Sequence, residues 1–149
     1  MRSYVLVSLA LAALAACSSS SSNDSPSGSA CVAVPSADCK PLVDPPTFDA
    51  IYTQILQPSC ASGGVSCHGA ASGTSLSFGD VDQAYAMFTR RELVGEGDAA
   101  RVLPHDAACS PLMKRIMADD PAVRMPRGSQ LSEPETCAVT KWIANGAPR

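Results

Sequence analysis

In the stretch CASGGVSCHG, residues 60–69, two cysteines are separated by six residues, Ala61 to Ser66, and a histidine directly follows the second. Two thiols and an imidazole in one glycine-rich loop support three chemistries. Cys60 and Cys67 can close a disulfide and leave His68 solvated. Joined by the His-x3-Cys pair further on, Cys60, Cys67, His105 and Cys109 can form a four-ligand zinc site. Or the two thiols can add to the vinyl groups of a haem while His68 ligates its iron. The last chemistry asks for a second axial donor, and a methionine thioether suits it, because a soft, uncharged ligand favours reduced iron and raises the potential. Met125 is the candidate, since Pro126 disfavours helix at the residue before it and places Met125 in a loop. Met87, Met113 and Met117 fall on helical stretches and read as core filler.

Compartment bears on all three. Met1-Arg2 opens the chain with a positive charge, and Tyr4 to Ala16 form a short apolar run, too short to span a bilayer and shaped like a secretory signal. It ends in Leu14-Ala15-Ala16-Cys17, which resembles the lipobox of bacterial lipoproteins, so Cys17 is the expected acylation site and new N-terminus. An ordinary cleavage site with an incidental cysteine is the plainer alternative. Ser18, where inner-membrane lipoproteins usually carry Asp, leans toward the outer membrane, facing periplasm or cell surface. In that oxidising space free zinc-binding thiolates are disfavoured and disulfides favoured.

The chain then divides into a signal peptide (1–16), a lipidated cysteine with a disordered Ser- and Pro-rich tether (17–46), and one small domain (47–149). Without Arg2 the chain carries about −4, from ten basic and fourteen acidic side chains, and nothing suggests nucleic acid. Four stretches of the domain have helical periodicity, and strands are nearly absent. Phe48, Ile51, Tyr52 and Ile55 repeat at helical spacing after a Thr47 cap, with Pro58 ending the run just before Cys60. Val81, Ala84, Tyr85 and Phe88 do the same behind Asp80. A third helix starts at Ser110 with Pro111 in its first turn, stacking Leu112 on Ile116 and Met113 on Met117. In the fourth, Ser132-Glu133-Pro134-Glu135 is a capping box, Val139 with Ile143 and Ala138 with Trp142 make the apolar face, and Gly146 supplies the stop. The loops 61–79 and 91–109 are long and rich in Gly and Pro. Three Phe and one Trp offer a thin core, so such a domain needs a staple, metal or cofactor, and a buried haem would add apolar mass.

An aromatic-bearing helix, a Cys…Cys-His loop and then RMPRGSQLSEPETCAVTKWIANGAP resemble the c-type cytochrome domains of secreted and lipid-anchored bacterial proteins, over Thr47 to Pro148. The family has a Met-Pro loop before a closing helix that ends in Trp-Ile and Gly-Ala. The resemblance implies a mainly α, cytochrome c-like fold around one haem c. It makes Cys60 and Cys67 the attachment residues, His68 the proximal iron ligand and Met125 the distal one. The usual attachment motif has two residues between its cysteines; the six found here must bulge away, which Gly63 and Gly64 permit.

On this scheme the remaining cysteines divide into Cys31–Cys39, a local loop, and Cys109–Cys137, a staple on both sides of the Met125 loop, although six cysteines allow fifteen connectivities. Arg101, Arg124 and Arg127 could pair with haem propionates or form a solvated basic rim that steers an acidic redox partner. The function implied is electron transfer to an unidentified redox protein, from a membrane-anchored position. No Ser/His/Asp or paired-carboxylate constellation supports an enzyme. A peroxidase-like haem with a dissociable Met125 and a haem-free, disulfide-stabilised structural lipoprotein are the alternatives.

Overall fold

The computed structural model describes residues 30–62, 67–69, 76–90 and 100–149. Its regular structure is helical, and among the described residues there is no strand and no helix long and apolar enough to cross a membrane. Helix α1 (Phe48–Ile51) runs directly into a π-helix (Tyr52–Ala61); α2 (Val81–Thr89), α3 (Pro111–Ile116) and α4 (Glu133–Ala144) follow.

Local chemistry starts each helix. Thr47 accepts a hydrogen bond from the Ala50 N–H, and the Asp80 carboxylate accepts one from the Gln83 N–H at 2.8 Å. At α4 the Ser132 N–H and hydroxyl both donate to the Glu135 carboxylate, at 2.7 and 2.6 Å. Gly146 ends α4 with φ of +94°, and the His105 ring packs where a Cβ at that position would lie. Pro58 does not end the first helix as its sequence suggests. It lies inside the π-helix, whose wider turn moves the carbonyl four residues back away from the pyrrolidine ring.

Phe48 is the hub of the core. Its ring meets those of Tyr52, Tyr85, Phe88 and Trp142, with centroids 5.1 to 6.3 Å apart. Helix α4 is the most enclosed element, burying Thr136 through Thr140 as well as Trp142 and Ile143. Met113 is fully buried, as core filler should be.

Residues 30–46, expected to belong to the tether, are strapped onto this unit. The Val32 N–H donates to Ala108 O at 2.9 Å, the Leu42 N–H donates to Pro134 O at 2.8 Å, and Val43 is buried. This path also corrects the expected disulfides. Cys31 pairs with Cys109 and Cys39 with Cys137, in place of Cys31–Cys39 and Cys109–Cys137. The reason is the strap: the Val32–Ala108 bond sets Cys31 beside Cys109, and the Leu42–Pro134 bond brings Cys39 to α4, where Cys137 is buried. The staples that a thin core requires are therefore two long-range crosslinks.

Candidate functional site

The π-helix carries Cys60 in its last turn. The chain then leaves the helix and returns at Cys67, and the His68 N–H donates to Cys60 O at 2.9 Å. That bond holds the histidine beside the first cysteine in spite of the intervening residues. Gly69 completes the close approach: a Cβ there would lie 2.9 Å from Ala61 O, so only glycine fits without a shift. Gly63 and Gly64 lie outside the described residues.

The His68 ring is oriented from behind. Its Nδ1 is 3.0 Å from Leu76 O, and because a carbonyl only accepts, Nδ1 carries the proton. In the neutral ring Nε2 then presents the lone pair, the tautomer a metal ligand needs. The ring packs against Phe78, centroids 5.3 Å apart. The Tyr52 hydroxyl donates to Phe78 O at 2.6 Å and accepts from Gln57 at 3.2 Å, which ties this support back to the π-helix.

Met125 arrives from the other side. Its N–H donates to Arg115 O at 2.9 Å, suspending the Met-Pro loop from the end of α3, and the Arg115 guanidinium donates to Val123 O at 3.2 Å. The two segments face each other across a cavity of about 330 Å³ lined by Ser59, Cys60, Cys67, His68, Met125, Pro126 and Arg127. Cys60 and Cys67 are both unpaired thiols, so the Cys60–Cys67 disulfide is not formed. Burial foremost, then the neighbouring Cys67 and Glu135, push the Cys60 thiol up to about 12, so it is neutral at physiological pH.

The zinc set is not assembled. Cys109 is bonded to Cys31, and His105, at φ of +68°, sits with Nδ1 3.1 Å from Ala144 O at the end of α4. Among the described residues no group of three His, Cys, Asp or Glu side chains is placed to hold a metal ion. Arg101 donates to Met87 O at 2.8 Å and is not in the cavity wall. Met87 accepts a bond from the Ser77 N–H. Cys17 lies outside the described residues. Sequence reasoning missed the carbonyls of Cys60 and Leu76, which no residue type signals, and Phe78, an aromatic next to the loop that could have drawn attention.

A haem fits the donors present. Cys60 and Cys67 would hold it covalently, with His68 Nε2 and the Met125 thioether as the donors for its iron. No family profile, curated protein or solved structure matches this chain.

Proposed function

We propose that this chain is an electron carrier of the cell envelope, a c-type cytochrome domain with one haem c attached at Cys60 and Cys67 and ligated by His68 and Met125. One observation carries the reading: four residues from two distant segments, singled out in the sequence by donor chemistry, the Met-Pro step and the cytochrome resemblance, line a single cavity. When bound, the haem supplies a one-electron couple. The protein supplies the rest. Leu76 O holds the imidazole proton on Nδ1 and so presents Nε2. Arg115 O holds the Met125 backbone, which keeps Met125 in the wall of the same cavity as His68, where its thioether would be available to the iron. The neutral Cys60 thiol adds no thiolate charge to the cavity wall. Acylation of Cys17 would anchor the chain, with the serine-rich stretch after it as tether and a redox protein as partner.

The test is expression of the full chain with the cytochrome attachment machinery, followed by acid-organic extraction, intact mass and a visible spectrum. Thioether-bound haem stays with the denatured wild-type chain and is lost from the Cys60→Ser/Cys67→Ser double variant. Met125→Ala keeps the haem but binds carbon monoxide readily; a wild type that already does so favours the peroxidase-like alternative. Complete extraction from the wild type overturns covalent attachment. The two disulfides and the aromatic core closed by protein groups alone favour a second reading, a cofactor-free structural lipoprotein, and a folded chain that never retains haem would establish it.

A further inference from the structure

Tyr52 and Gln57 are five residues apart, yet Gln57 Nε2 donates to the Tyr52 hydroxyl at 3.2 Å. At 3.6 residues per turn, an α-helix would leave such a pair about 140° apart around its axis. The π-helix, whose own bonds join residues five apart, stacks them on one face. The hydroxyl that accepts this bond is itself a donor, to Phe78 O at 2.6 Å, and both Tyr52 and Phe78 are buried. An N–H given to a hydroxyl oxygen makes its proton a stronger donor, so the two bonds reinforce each other. Phe78 in turn closes a clamp on His68. Its N–H donates to His68 O at 2.5 Å, its ring packs on the imidazole, and two residues before it Leu76 O accepts the Nδ1 proton. Cys60 lies in the last turn of the helix that Tyr52 begins. One element thus fixes both the first cysteine and the segment that aims the imidazole.

We propose that Tyr52, polarised by Gln57, is a positioning residue for His68: the π-helical register holds the 76–78 segment so that the imidazole keeps its proton on Nδ1 and its lone pair on Nε2. Tyr52 is not in the cavity wall, so it acts through Phe78 and Leu76. The use of that lone pair, ligation of haem iron, rests on the proposed function; the tautomer does not. A hydrogen bond from Nδ1 also makes a ligating imidazole more basic, so Tyr52 would tune the donor as well as aim it.

The full chain, with its disulfides intact and produced without the attachment machinery, is labelled with nitrogen-15 histidine, and long-range proton–nitrogen spectra read the tautomer of each neutral ring. His105, whose Nδ1 lies 3.1 Å from Ala144 O, is the internal reference. Wild-type His68 should be in the Nδ1–H form. Tyr52→Phe should raise its Nε2–H fraction at least about twofold, the lower end of what one neutral hydrogen bond contributes, with His105 unchanged. Gln57→Glu, at an exposed position, should do the same, because a carboxylate draws the Tyr52 proton away from Phe78 O. In the haem-loaded chain Tyr52→Phe should keep both thioethers and shift the midpoint potential upward, since a less basic imidazole favours oxidised iron less. An unchanged His68 tautomer in both variants, or equal changes at His68 and His105, overturns the positioning role and leaves the haem reading standing. Changes confined to His68 in a chain that never retains haem uphold the positioning role and overturn the haem reading.

Discussion

Removing the crosslinks one at a time tests the strap most directly. In the chain-entropy description a disulfide stabilises by closing a loop in the unfolded chain, and the cost of its loss grows with the logarithm of loop length. Taken alone, Cys31–Cys109 closes a sequence separation of 78 and Cys39–Cys137 one of 98. The two loops overlap, however. With one bond in place, the other closes only about 36 residues, the stretch from Cys31 to Cys39 plus that from Cys109 to Cys137. Either Cys31→Ala/Cys109→Ala or Cys39→Ala/Cys137→Ala should therefore cost about 3.8 kcal/mol, and all four substitutions together about 8 kcal/mol. Losing about 8 kcal/mol exceeds or nearly matches the whole stability of many small domains, so the quadruple variant should be unfolded at room temperature.

The local pairing expected from sequence would instead give unequal losses, about 2.5 kcal/mol for a Cys31–Cys39 loop and about 3.6 kcal/mol for Cys109–Cys137. Urea unfolding followed by the fluorescence of Trp142, the single tryptophan, reads these values, with the m-value rising as the unfolded chain loosens. Non-reducing peptide mapping reads the connectivity itself. A loss below about 1 kcal/mol for either pair, or a peptide joining Cys31 to Cys39, would refute the reasoning.

Three further outcomes follow from the site and the core. Gly69→Ala places a methyl 2.9 Å from Ala61 O, so the yield of covalently bound haem should fall while far-ultraviolet circular dichroism keeps its helical signal. With its thiol pushed up to about 12, Cys60 has a thiolate fraction of only about one in ten thousand at pH 8. Iodoacetamide should accordingly modify it on unfolding and barely before, as peptide mass spectrometry would show. Phe48→Ala opens the hub of the aromatic cluster and should cost about 3–5 kcal/mol in urea unfolding.

Helix starts were legible because they are local. Thr47, Asp80 and the Ser132/Glu135 pair each act within one turn, and all three act in the structure as their spacing predicts. The donors of the candidate site were legible for a different reason: cysteine, histidine and a methionine before proline carry distinctive chemistry wherever the chain takes them. What places them together was not. The bonds from His68 to Cys60 O and Leu76 O use backbone carbonyls, which have no residue identity to read. Pro58 misled because a proline normally stops an α-helix, and the first helix continues with a wider turn. The disulfides misled because nearness in sequence suggested Cys31–Cys39, whereas Val32, Val34 and Val43 pack the strap against the core and carry each cysteine to a distant partner.

The crossed disulfides also determine how this molecule bears tension. A pull between residue 30 and Arg149 follows the shortest covalent route, which runs from Cys31 to Cys39, across the bond to Cys137, and out along the end of α4. Everything between Cys39 and Cys137 lies off that route, including the π-helix, His68 and the Met125 loop. The unit would lengthen only by straightening the strap and the last turns of α4, and the cavity would carry almost none of the load. The donors of the cavity would then keep their spacing under traction that would unravel an uncrosslinked bundle from its ends.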